Sequence, residues 1–156
     1  MKRIFSMMVA ALLSMSAAMA QTNEKGWSYA LEGGIGSQLE LGGRAQYSQN
    51  QYIALDLPVV KYNLDYTDGT SHELKLMAGV RGYSPEFGPN LKGLLAIDLG
   101  YGGTTSSQSD WTSCFAFDLT VGVHINRNLY AGYGFGMLTK DGGKHKDHVL
   151  RIGWNF

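Results

Sequence analysis

The stretch His148-Val149-Leu150-Arg151-Ile152-Gly153-Trp154-Asn155-Phe156 decides the fold. Leu150, Ile152, Trp154 and Phe156 occupy every second position, with Arg151, Gly153 and Asn155 between them, and a period of two marks a strand whose faces meet different surroundings. Seven more such segments lie upstream. Their apolar phases run Trp27 to Ile35, Leu39 to Tyr47, Ile53 to Tyr66, Leu74 to Gly82, Leu91 to Tyr101, Phe115 to Ile125 and Leu129 to Met137. In the third segment the phase slips by one residue, from Leu57 to Val60, with Pro58 at the slip. A proline cannot donate to a ladder, and a bulge shifts phase by one, so the expectation is one long bulged strand.

Across the eight segments, the 43 in-phase positions carry no charge, where a chain with 17% charged residues would place roughly seven by chance. No apolar run of 18 residues follows the N-terminal region, so no helix is expected to cross a bilayer. The expected fold is all-β, an eight-stranded antiparallel up-and-down transmembrane β-barrel with its apolar face toward lipid. A soluble, lipocalin-like periplasmic barrel is the competing architecture.

Met1 to Ala20 reads as an export signal: Lys2 and Arg3, an apolar run from Met7 to Leu13, then Ala18-Met19-Ala20. Cleavage after Ala20 leaves residues 21–156 as the barrel. The only cysteine, Cys114, is far from that cut, which argues against a lipid anchor, and it has no partner for an internal disulfide. Thirteen basic against thirteen acidic residues supply no basic stripe for nucleic acid.

The opposite phase carries Glu32, Glu40, Arg44, Asp56, Glu73, Lys75, Arg81, Lys92, Asp98, Asp118, His124 and Arg151. An eight-stranded barrel is just wide enough for side chains to fill, so these charges are expected to pair across the lumen and close it. Gly122, Gly132, Gly134, Gly136 and Gly153 share that face, leaving room for long basic side chains opposite. Trp27, Tyr29, Tyr47, Trp154 and Phe156 are expected to form one aromatic girdle, and Tyr62, Tyr66, Tyr101, Phe115 and Phe117 the other. The connections predict short periplasmic turns, with longer outer loops at Gly102–Ser113 and Thr139–Asp147. On those loops Trp111 and Lys144 are candidate surface contacts.

Catalytic and metal chemistry find little support in the sequence. His124 and Asp118 share a face but stand about 20 Å apart along one strand, with no serine between them. The run Lys144-His145-Lys146-Asp147-His148 holds two histidines and an aspartate, but its lysines oppose a cation, and it reads as a solvated loop tip. Gly132-Tyr133-Gly134-Phe135-Gly136 lacks the spacing of a nucleotide loop. No cofactor, metal or catalytic residue is expected.

The barrel segment resembles the small outer-membrane barrels, the OmpA membrane-domain and OmpX-like group labelled porin-family. The resemblance rests on strand count, loop asymmetry, charged interior and the terminal Phe156. Phe156, Trp154, Ile152 and Leu150 match that group's C-terminal assembly signal, whereas Gly153 is displaced from the expected glycine position, which Arg151 stands nearer. It implies insertion by the barrel-assembly machinery into a Gram-negative outer membrane. It also implies contact with membrane lipid and lipopolysaccharide, a monomer, and a surface ligand of unknown kind. Fold does not choose among the roles; the paired interior charges and the lack of a serine beside a histidine put non-enzymatic structural or surface roles first, a narrow pore second and lipid A modification last.

Overall fold

The computed structural model describes residues 25–65, 71–106, 109–126, 128–140 and 143–156. The expected export signal and its cleavage point lie outside them, as do Tyr66 and the side chain of Trp111.

Eight antiparallel strands close on themselves in chain order: β1 (Gly26–Gly36), β2 (Gln38–Ser48), β3 (Ile53–Asp65), β4 (His72–Gly88), β5 (Leu91–Ser106), β6 (Ser109–His124), β7 (Leu129–Lys140) and β8 (Gly143–Asn155). Closure comes from β1 pairing with β8, where Leu31 faces Trp154 and Ile35 faces Leu150. The phase slip at Pro58 is a bulge, since the β3–β4 register shifts between Asp56 and Val59. Ala54 and Asp56 before it, and Val59, Lys61 and Asn63 after it, all point inward. The tight β4–β5 turn places Asn90 at a φ of 58°, a left-handed conformation that asparagine tolerates.

The strands outrun the sequence expectation at one end of the barrel. Gly102–Ser113 is not a long loop: β5 continues to Ser106 and β6 starts at Ser109, so Trp111 lies within a strand. Thr139–Asp147 is likewise mostly strand, which moves Lys144 from a loop tip onto β8. At the other end, β4 runs through most of the expected Tyr83–Asn90 connection. The physical reason is common to all three. Beyond the apolar belt the outward face meets water instead of lipid and carries polar residues like the inward one, so the alternation that betrays a strand disappears although the ladder hydrogen bonds continue.

The outward face is apolar and the inward face polar. Leu95 and Val121 are 50% and 51% exposed, whereas Arg44 and Glu73 are each 3% exposed. Trp27 packs beside Tyr47, ring centroids 5.3 Å apart, near the end that holds Phe156, and Tyr101 pairs with Phe115 toward the opposite, distal end. Between these bands, the outward phase of β5 from Leu91 to Tyr101 rises about 25 Å at about 3.3 Å per residue and a tilt near 40°.

Candidate functional site: the charged bore

Alternation sends one side chain in two into the bore, and there the side chains sort into three layers. Nearest the end with Phe156, Arg44 of β2 ion-pairs with Glu32 of β1 and donates to Asn155 Oδ1 at 2.8 Å and Tyr130 Oη at 3.2 Å. Arg81 of β4 donates through Nε to Asp56 Oδ2 at 2.8 Å. Both guanidinium carbons lie over the Tyr130 ring, 5.1 and 5.5 Å from its centroid, so one aromatic face attracts two cations. His124 stacks on the same ring and meets Tyr83 edge-on; it does not approach Asp118.

The middle layer is centred on Arg151 of β8. Its guanidinium donates to both oxygens of Glu40, at 2.5 and 2.7 Å, and to both oxygens of Asp118, at 2.6 and 2.7 Å. Lys61 Nζ adds a bond to Asp118 Oδ1 at 2.8 Å, and Thr120 Oγ1 accepts from Arg151 at 2.5 Å. Planar guanidinium forks match carboxylates in this paired manner, with stronger bonds than neutral groups make.

The distal layer joins β4 to β8. Lys75 Nζ donates to Asp147 Oδ2 at 2.7 Å and lies 3.4 Å from Glu73 Oε2. His145, half-exposed at the mouth, places Nδ1 3.6 Å from Glu73 Oε1 and Nε2 3.0 Å from Asp147 Oδ1. Val59, Met77, Cys114, Ala116 and Leu138 form a small apolar cluster inside the barrel.

The structure thus gathers Glu32, Glu40, Arg44, Asp56, Glu73, Lys75, Arg81, Asp118 and Arg151 into contact. Lys92 stands apart at the rim, 3.7 Å from the exposed Glu86. Asp98 is inside and buried, yet it belongs to none of the ion pairs among the described residues, and its Oδ1 has no hydrogen-bond partner. Lys61 and Asn63 join the bore without having been singled out, although the phase after Pro58 sends them inward. Asp147, which the sequence places on a solvated loop tip, is buried in β8.

The inward glycines make room as expected in part. A Cβ on Gly134 would collide with the Arg151 guanidinium, and one on Gly136 would come within 3.2 Å of Lys75 Nζ and Asp147 Oδ2. Gly153 instead accommodates the Tyr130 ring, and Gly122 and Gly132 allow their two backbones to approach.

No family profile matches this chain, and no curated protein does. Solved structures do. The N-terminal β-barrel domain of Pseudomonas aeruginosa OprF superposes with a TM-score of 0.64 at 14% identity, over 86% of this chain and 100% of that one. The fold is that of the small outer-membrane barrels. Neisserial surface protein A gives 0.61 at 14% identity, covering 83% of this chain and 92% of its own. The Yersinia pestis outer membrane protein Ail, in a phospholipid bilayer nanodisc, gives 0.57 at 13%, covering 85% and 100%.

Proposed function

We propose that this chain is a non-enzymatic outer-membrane barrel of a Gram-negative envelope, its bore closed by ion pairs, acting as a structural or surface-contact element. One observation carries the reading. Large apolar side chains face outward while Glu, Asp, Arg and Lys fill the inside, the reverse of a water-soluble protein. Lipid is the solvent that suits such an exterior, and the barrel satisfies its backbone groups by closing. Layers of paired charges suit a bore of this strand count, which is just wide enough for side chains to fill. Ser37 and the strand ends at Ser106, Ser109, Lys140 and Gly143 stand on the outer side, and the end with Phe156 faces the periplasm, from which the barrel-assembly machinery recognises it. Contact with lipopolysaccharide and with a surface ligand would fall to the outer ends of β5 to β8, including Trp111 and Lys144.

Isolated outer membranes run on a gel with and without heating test the placement: a folded barrel migrates apart from its boiled form. A single unshifted band, or recovery in the soluble periplasm, overturns it. Planar bilayers test the closed bore, with silence expected and steady single-channel steps favouring a narrow pore. Lipid A of unchanged mass with and without the gene is expected, and an altered acyl chain would make the protein an enzyme.

A further inference from the structure

We propose that the distal mouth of the barrel binds one divalent transition-metal ion, of the zinc class, through Glu73 of β4 and His145 and Asp147 of β8. One imidazole nitrogen and one oxygen from each carboxylate lie within 4.8 Å of one another. In sequence the flanking lysines speak against a cation, but on a strand they do not face it. Alternation turns His145 and Asp147 toward the bore and puts Lys144 and Lys146 on the opposite face. Glu73, distant in sequence, completes the set.

A second observation points to a ligand. Asp147 is 1% exposed and Lys75 holds its Oδ2 at 2.7 Å, while its buried Oδ1 has only the half-exposed His145 ring beside it. That oxygen lies 3.0 Å from His145 Nε2, a few tenths of an ångström inside the edge of about 3.3 Å between two donors each about 2.0 to 2.1 Å from a tetrahedral zinc ion. A metal between them takes both atoms as donors in place of that single contact. Charge agrees: two carboxylates meet one lysine here, and across the bore the buried acids Glu32, Glu40, Asp56, Glu73, Asp98, Asp118 and Asp147 outnumber the buried bases Arg44, Lys61, Lys75, Arg81 and Arg151. An imidazole with carboxylates suits zinc, copper or nickel over magnesium or calcium. The half-exposed His145 gives the ion a way in from outside. The site does not depend on whether the barrel conducts.

The test is calorimetric titration of the folded full chain in detergent with Zn2+, with Co2+ added in parallel to read its visible absorption. One equivalent is expected, with an absorption that reports nitrogen and oxygen ligands. His145→Ala removes a half-exposed side chain and is expected to weaken binding at least about tenfold while keeping the heat-dependent gel shift. Glu73→Gln should weaken it too, and His72→Ala, on the outer face, should not. Absence of binding by the unaltered chain, or undiminished affinity in a folded His145→Ala chain, overturns the proposal.

Discussion

Asp118 and Asp98 sit directly opposite each other on β6 and β5, both inward and both sealed from solvent at 0% and 1% exposure. Asp118 receives three charged hydrogen bonds, two from Arg151 and one from Lys61. Asp98, one strand away, receives none among the described residues. The same residue type, at the same height, is therefore a keystone in one place and a liability in the other. What separates them is the reach of Arg151 from β8, which spans the bore to β6 and not to β5. Buried charge is costly unless it is paired, and removing one partner strands the other. The two aspartates bracket that rule within one layer.

The largest effect is expected at the paired member. Asp118→Ala leaves Arg151 and Lys61 facing each other without their shared carboxylate, so folding stability should fall by about 3 to 5 kcal/mol. Urea titration of the gel-shifted form in lipid vesicles measures it. A loss below about 1 kcal/mol would mean that the middle layer contributes little to the fold.

On the outer face, Leu95→Arg should cost about 2 to 4 kcal/mol if hydrocarbon surrounds it. The same titration reads it, and a negligible change would remove the lipid from the argument. The substitution separates solvent outside from pairing inside, because Leu95 touches neither aspartate's network.

Gly134→Ala tests how Arg151 is held. The added methyl would overlap its guanidinium, which must shift from its place between Glu40 and Asp118. A destabilisation of about 1 to 3 kcal/mol is expected from overpacking. Combining it with Asp118→Ala should give less than the sum, since both act through one side chain.

How far these contrasts were legible depended on solvent. Where lipid borders the barrel, the alternation from Leu91 to Tyr101 or Leu129 to Met137 betrays both faces, and the residues of the bore follow from phase alone. Past the belt, at 102–113 and 139–147, the outward face is polar as well, as Lys144 and Lys146 are beside the buried Asp147, so the pattern fades and the sequence puts Asp147 and His145 on a loop. The slip at Pro58 was readable, and its consequence for Lys61 and Asn63 followed from the same count. Partnership was not readable. Phase places Asp98 and Asp118 equally well inside, but only the path of Arg151 across the barrel decides which one it reaches.

The smallest effect is expected at Asp98 itself, and it is the sharpest test of the comparison. Asp98→Asn keeps the shape, replaces an unpaired oxygen with a donor and removes a charge that faces another carboxylate across β5 and β6, where like charges destabilise a pair of strands. Removing it breaks no ion pair among the described residues, so stability should change by less than about 1 kcal/mol, toward the more stable side. Urea titration beside the Asp118→Ala chain gives the two values under one condition. If Asp98→Asn costs as much as Asp118→Ala, then Asp98 has a cationic partner in the lipid-embedded protein, and the contrast between the two sides of the bore collapses.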